Sequence, residues 1–213
     1  AVDRLYNRDW SQSANQHGVD ILAPLSSIFG ELRIAQSYLG ERSHGTDEKK
    51  IAELFEQRAI TLFEKLDKGE HIWRGRIETR KPPLFFKGDR KSKLPAADID
   101  YKAINKYAVG EFKKYKSDIN KVVGADLYKK LNEMFASRAK FNISAGDWAS
   151  VVYKFIKASD ITPTRRAKAL RPIYFGRFMT FYREFLDKSH KDSERAIVEQ
   201  AELFFQRRNE LMG

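Results

Sequence analysis

The sequence lacks cysteine and any long apolar run, and each absence excludes a class of protein. Without cysteine, the 213 residues form no disulfide bond and use no thiolate for catalysis or metal binding. A chain of this length, as one large domain or two small ones, buries a core without such cross-links. No apolar run approaches the roughly 20 residues that a membrane span needs. We therefore predict a cytoplasmic protein without a membrane span.

The net charge of +11 and the pI of about 9.7 favour anionic partners, but the basic residues are not massed. The densest basic cluster runs from Lys87 to Lys93, in a predicted loop. The basic pairs lie far apart and have acidic neighbours; they are Lys113-Lys114, Lys129-Lys130, Arg165-Arg166 and Arg207-Arg208. We interpret these charges as solvated helix faces and do not predict nucleic-acid binding.

Hydrophobic spacing predicts a mainly α protein with one or two short strands. A strand is predicted over 33–39, and residues 70–97 are predicted to be an excursion with at most one strand and no helix. Pro172 is expected to kink or interrupt its helix. Seven helices are predicted, and Asp98 is expected to cap the third. They are Asp20–Phe29 ended by Gly30, Asp47 to Gly69, Asp98 to about Val123, Ala125–Phe135, Asp147–Ala158, a helix opened by Thr162-Pro163 that includes Phe185, and Ser193–Leu211 with Ile197, Ala201, Phe204 and Phe205 buried.

The segment Gly18-Val19-Asp20-Ile21 places an acid on a glycine turn at the start of a short apolar run. Further on, the loop after the predicted strand presents His44. An acid and an imidazole at one sheet edge suit a metal-assisted transfer reaction. Asp20 is equally explained as a helix N-cap, and His44 as a surface residue.

Arg33 and Arg42 flank the predicted strand and can meet the oxygens of a bound phosphate. Their alternative partners are the neighbouring carboxylates of Glu31 and Glu41. The aromatic stripe from Tyr174 to Phe185 has helical spacing and is interpreted as core. Three arginines lie among these rings and are expected to snorkel or to cap the helix surface; they are Arg171, Arg177 and Arg183.

Two blocks of sequence resemble a known family. The first comprises Gly18-Val19-Asp20-Ile21, the run Arg33-Ile34-Ala35-Gln36-Ser37-Tyr38-Leu39-Gly40, and His44. The second comprises the run from Trp148 to Phe155 and the run Leu170-Arg171-Pro172-Ile173-Tyr174-Phe175-Gly176-Arg177. In this order they resemble the second half of retaining GT-A glycosyltransferases that make glucosylglycerate, mannosylglycerate or glucosyl-phosphoglycerate.

The resemblance implies a role for His44 and for Asp20. His44 would be a ligand of the divalent metal, Mg²⁺ or Mn²⁺, that holds the nucleotide diphosphate. Asp20 would lie beside the sugar and the acceptor as the catalytic residue. Arg33 and Arg42 are predicted to bind substrate from their charge and their position beside the strand, not from the resemblance. Residues 1–46 would be a remnant of the GT-A catalytic core, and residues 47–213 its helical C-terminal domain.

The chain departs from that family because no βαβ series and no Asp-x-Asp pair precede the first block. We therefore expect the isolated chain to be inactive and to need a missing N-terminal half, in cis or on another chain, whose ligands complete the metal site. The donor would be a nucleotide sugar and the acceptor a small anionic hydroxy acid such as glycerate or phosphoglycerate. An uncovered sheet edge and apolar face would favour a homodimer or pairing with that half.

Two other functions remain open from the sequence. The chain could be a non-catalytic basic helical module that binds RNA or a protein partner. It could also be a degenerate transferase half that is kept as a scaffold.

Overall fold

The computed structural model describes residues 10–37, 47–75, 84–86, 99–136 and 141–213, which are mainly helical as predicted. Two short strands, β1 (Gln36–Ser37) and β2 (Leu84–Phe86), pair in parallel. No described helix has both the length and the apolar character needed to cross a bilayer. The helices are α1 (Val19–Phe29), α2 (Glu48–Lys68), α3 (Glu70–Gly75), α4 (Tyr101–Val123), α5 (Ala125–Ala136), α6 (Ala145–Lys157), α7 (Pro163–Phe185), α8 (His190–Gln206) and α9 (Asn209–Met212).

The chain divides into two compact units, Ala1–Ile99 and Asp100–Gly213. The boundary that the sequence suggested, after residue 46, falls inside the first unit because α2 packs against α1. Helix α2 therefore belongs with the residues before it. The assignment of residues 1–46 to a GT-A core stays a prediction.

Helices α1 and α2 of the first unit have the ends that their sequence predicts. Asp47 caps α2 through its carboxylate, and Gly69 follows the last turn. Gly30 likewise follows α1. Pro24 lies inside α1, which begins at Val19.

The strand predicted over 33–39 is shorter in the structure. Its regular part is Gln36–Ser37, which lies beside Leu84–Phe86. The preceding residues 33–35 have no regular structure, and residues 38–39 lie outside the described part of the chain.

Helix α4 is the central element of the second unit, and it packs chiefly against α7. Its buried side chains include Ile104, Phe112 and Ile119. The Phe112 ring stacks on that of Phe135 with the ring centroids 4.1 Å apart. Each such buried side chain stabilises the fold by about 1.5–3 kcal/mol.

Two helix starts differ from their prediction. Residues 70–97 were expected to hold no helix, yet α3 begins directly after Gly69. The Trp73 indole N–H donates to the Leu66 carbonyl of α2 at 2.9 Å, which ties this extra turn to the preceding helix. The N-cap of α4 is Asp100, not Asp98, because its carboxylate accepts the hydrogen bond from the N–H three residues on.

Pro172 does not interrupt α7, which is one helix from Pro163 to Phe185. Ile173, the next residue, and Gly176, one turn further on, are both buried. The packing of α7 against α4 therefore offsets the hydrogen bond that proline cannot donate.

The predicted last helix is two helices, α8 and α9, and its apolar face is not buried. Ser189 caps α8 four residues before the expected start. Ile197 and Phe205, which were predicted to be buried, are 58% and 42% exposed. Ala201 is exposed as well, whereas Phe204 is half-buried. The opposite side of α8 supplies its contacts with α6.

Candidate functional site

The segment before α1 is fastened to α2 by hydroxyl groups. The buried Thr61 hydroxyl donates to Ser13 Oγ at 3.1 Å. Nearby, the Ser11 hydroxyl donates to Glu64 Oε2 at 2.7 Å. Because buried polar groups are costly unless paired, these bonds specify where the segment sits on the helix.

Gly18 stands where this segment turns into α1. A Cβ atom at this position would lie 2.4 Å from the Ser13 carbonyl oxygen and 2.1 Å from Thr61 Oγ1. Backbone cannot yield to such an overlap as a flexible side chain can. The glycine of the Gly-Val-Asp-Ile block is thus required by close packing.

Asp20 lies in the first turn of α1 but does not cap it. The N-cap position is Gly18, and no side chain caps the helix. Instead, Asp20 Oδ2 accepts a hydrogen bond from Arg58 Nη2 of α2 at 2.6 Å. Both side chains are partly exposed, at 45% for Asp20 and 35% for Arg58. The N-cap interpretation of Asp20 is therefore wrong.

The Asp20–Arg58 pair leaves polar atoms uncommitted among the described residues. Asp20 Oδ1 receives no hydrogen bond there, and the buried Arg58 Nε has no partner. The pair can thus hold one carboxylate oxygen in place while the other accepts a hydrogen bond from a ligand hydroxyl. The sequence did not single out Arg58, because its spacing on α2 resembles that of any solvated cation.

The other predicted site residues are not brought to this pair by the described part of the chain. Arg33 is exposed on the segment between α1 and β1. Arg42 and His44 lie outside the described residues. Within the described ranges, no three histidine, aspartate or glutamate side chains form a group that could hold a metal ion.

The sequence does contain one Asp-x-Asp, Asp98-Ile99-Asp100, after the first block rather than before it. Asp100 accepts the hydrogen bond that caps α4, with its Oδ1 3.0 Å from the Ala103 nitrogen. Helix capping explains this aspartate without metal chemistry.

The second block forms part of the core. Its two runs lie on α6 and α7, which pack together, and the Trp148 and Tyr174 ring centroids are 6.3 Å apart. A Cβ atom at Gly176 would lie 2.6 Å from Ile143 Cδ1. The small residue therefore lets α7 approach the segment before α6.

The second block also holds an arginine that was expected to snorkel but is buried. Arg177 is 9% exposed and donates to the Ile143 carbonyl at 3.3 Å. It also donates to Gln200 Oε1 through Nε and Nη2, at 3.0 and 2.8 Å. Burial lowers the pKa of Arg177 below its ordinary value, although Glu184 at 3.6 Å opposes this effect.

The other two arginines of α7 are also held by the protein. Arg171 forms an ion pair with Glu111 of α4, and both side chains are largely buried. Arg183 donates to the Phe141 carbonyl at 2.7 Å. The aromatic stripe of α7 is partly core, since Phe175 is buried and Phe178 and Phe181 are half-buried.

Arg166, which sequence analysis placed on a solvated face, is fully buried. Its Nη1 donates to the Phe155 and Ile156 carbonyls in the last turn of α6, at 3.3 and 3.2 Å. A cation at this end also complements the helix dipole. Arg166 directly follows the exposed Arg165, and nothing in the local sequence indicates which of the two arginines is buried.

A face of α4 whose charged residues are all lysines was also missed. Lys102, Lys106, Lys113 and Lys116 are all exposed and recur with the helical period. The acids of α4 lie on its other side, where Glu111 pairs with Arg171, and Asp118 pairs with Arg165 at 2.9 Å. These four lysines have the spacing i, i+4, i+11 and i+14, which indicates one side of a helix and could have revealed this face from the sequence.

Compared with family models, curated proteins and solved structures, the chain matches none of them.

Proposed function

We propose that this chain is the C-terminal part of a retaining glycosyltransferase that moves a sugar from a nucleotide-sugar donor to glycerate or phosphoglycerate. The proposal is supported by the two sequence blocks, which occur in the order of that family. The observation that carries it is the Asp20 carboxylate, partly exposed and fixed by Arg58 at the head of α1.

The chemistry needs an acid group in this setting. Sugar transfer passes through a state in which positive charge develops on the sugar carbon, as in glycoside hydrolysis. A carboxylate beside that carbon stabilises the charge, or it positions the attacking hydroxyl of the acceptor. In this scheme Asp20 is the catalytic residue, and Arg58 is a positioning residue that acts through it.

The divalent metal of the resembled family does not fit the described residues. They contain no group of three ligands, and the guanidinium of Arg58 already occupies one oxygen of Asp20. We therefore assign the metal no step on these residues. Within the proposal, its ligands would be His44 and groups outside this sequence.

Reconstitution tests this proposal. The coding region upstream of Ala1 would be expressed together with this chain and supplied with a panel of nucleotide sugars, Mg²⁺ or Mn²⁺, and glycerate or phosphoglycerate. We expect sugar transfer from the pair and none from either part alone. His44→Ala should abolish transfer, whereas His71→Ala, at an exposed histidine of α3, should not. Equal transfer with His44→Ala, or none from the pair, would refute the proposal.

A second function, binding of a nucleic-acid backbone, is favoured by the lysine face of α4. The face extends over about 21 Å at 1.5 Å per residue. None of its four lysines pairs with a carboxylate among the described residues. A row of unneutralised cations on a rigid helix is suited to a row of phosphates.

The salt dependence of binding to an RNA duplex tests this second function. Replacing Lys102, Lys106, Lys113 and Lys116 by glutamine should weaken binding and reduce the salt slope by about one for each phosphate that a lysine no longer neutralises. The control replaces four exposed lysines elsewhere, Lys49, Lys50, Lys129 and Lys191, with the same change in net charge. Equal weakening by both sets would show non-specific attraction and refute a binding face.

A further inference from the structure

The lysine face of α4 is interrupted near its middle by a glycine. Gly110 is exposed, and it lies one helical turn from Lys106 and one from Lys113, because residues three and four apart are neighbours on a helix surface. Lys102 and Lys116 lie further out along the helix. The face therefore carries an inner and an outer lysine on each side of a position that has no side chain.

No contact among the described residues requires a glycine at position 110. A Cβ atom there would meet nothing within 4 Å. Gly110 lies inside the continuous helix α4, and its φ is not positive. A glycine in a helix interior destabilises the helix relative to every other residue except proline. What it provides at an exposed position is room for the backbone of a partner to approach closely.

The two inner lysines border this opening. At 1.5 Å per residue, Lys106 and Lys113 are separated by about 10 Å along the helix axis, with Gly110 between them. Their long, flexible side chains can therefore reach one sugar–phosphate strand from both sides where it crosses the helix at the glycine. Lys114, which also lies one turn from Gly110, pairs with Glu111 at 3.8 Å, whereas the inner lysines pair with no carboxylate of the described residues.

The aromatic residues of α4 are not available to the bases of a single strand. This helix is described in full, and none of its four aromatic residues is exposed; they are Tyr101, Tyr107, Phe112 and Tyr115. The Tyr107 ring packs edge-on against Phe175, with the ring centroids 5.3 Å apart. Proteins that bind single strands stack the bases on aromatic side chains. The face thus favours a duplex, whose bases are already stacked.

We infer that one sugar–phosphate strand of a nucleic-acid duplex crosses α4 at Gly110, between the inner lysines. The inference rests on the second proposed function and specifies its geometry, since the strand lies across the lysine face rather than along it. Lys106 and Lys113 bind phosphates on the two sides of the crossing, whereas Lys102 and Lys116 contribute longer-range attraction. Because phosphates carry no base information, this contact is independent of sequence.

Adding a side chain at the crossing tests the inference in the full chain, with an RNA duplex of mixed sequence as the probe. Gly110→Gln should weaken duplex binding about tenfold, because the added side chain keeps the strand away from both inner lysines. The same change should not lower the Tm, since glutamine is a better helix former than glycine. The control Ser117→Gln, at an exposed position two turns along α4, should leave duplex binding unchanged.

Two double variants test the direction of the strand. Lys106→Gln with Lys113→Gln should weaken duplex binding several-fold more than Lys102→Gln with Lys116→Gln, although both double variants lose the same charge. Equal weakening by the inner and the outer pair would overturn the inference, and so would wild-type affinity in Gly110→Gln.

The wild-type chain separates the inference from the function on which it rests. Absence of salt-dependent duplex binding by the wild type would refute the second function and the inference together. Duplex binding that is weakened by replacing all four lysines but is unchanged in Gly110→Gln would overturn the inference alone. A single RNA strand bound as tightly as the duplex would contradict the assignment of a duplex.

Discussion

The two sequence blocks on which the proposed function rests have different physical surroundings in the two units. In the first unit, Asp20 and Arg58 meet at the surface, and both stay partly exposed. In the second unit, Arg177 is buried and bonds to Ile143 and Gln200. The first block can meet a ligand, whereas the second holds helices together. A shared motif is therefore not evidence of a shared role for each of its residues.

The largest effect that we expect comes from removing the buried cation of the second block. Arg177→Met keeps much of the side-chain volume but leaves the Ile143 carbonyl and Gln200 without their donor. We expect a loss of about 2–4 kcal/mol in the free energy of unfolding, since each charged hydrogen bond contributes about 1.5–3 kcal/mol. Urea unfolding measures this loss, and a change below about 0.5 kcal/mol would contradict a scaffold role.

The next largest effect on stability is expected from adding a Cβ atom at Gly18. Gly18→Ala should destabilise the first unit by about 1–3 kcal/mol, because its Cβ would overlap the Ser13 carbonyl. Gly110→Ala is the matched control on α4, where nothing lies within 4 Å of the added Cβ. That change should stabilise the chain by up to about 1 kcal/mol. Thermal unfolding measures the shift in Tm for each variant. Shifts of the same sign in the two variants would contradict the packing argument.

A smaller effect is expected in the pH dependence of folding stability. Burial raises the pKa of Asp147, but hydrogen bonds from Lys130 and Ser144 outweigh it and hold the pKa below the ordinary 3.8. Asp147 therefore stabilises the folded state at pH values above its pKa in the unfolded chain. This stability is lost as the pH falls through the lower pKa that Asp147 has in the folded state. Asp147→Asn and Lys130→Met should each flatten the acid side of the stability profile. An unchanged profile in both variants would count against the pairing.

The smallest effect on stability is expected at the candidate site. Asp20→Asn breaks a partly exposed ion pair, and such pairs contribute about 0–1 kcal/mol. Urea unfolding should therefore show the variant close to the wild type. A loss comparable to that of Arg177→Met would mean that the Asp20–Arg58 pair is structural, and the contrast between the two blocks would disappear.

The sequence predicted the helices well where period and caps agree. The ends of α2 follow from Asp47 and Gly69, and the start of α7 from Thr162-Pro163. It failed at Ile197 and Phe205 because amphipathic spacing shows that a helix has an apolar side, but not that anything covers it. It failed at Arg166 because burial of a cation depends on carbonyls of another helix, which no local pattern contains.

Of the Asp20–Arg58 pair, the sequence singled out Asp20 but not Arg58, and the role of Asp20 stays a prediction. The Asp20–Arg58 contact joins residues 38 positions apart on two helices. Only the packing of α1 on α2 brings them together. The roles of Arg33, Arg42 and His44 stay predictions.

The rate of sugar transfer by the reconstituted enzyme carrying Asp20→Asn is the most direct measurement of the central claim. A catalytic carboxylate predicts a fall on the order of 100-fold in kcat with the fold intact. A stable Asp20→Asn enzyme that transfers sugar at the wild-type rate would contradict the account.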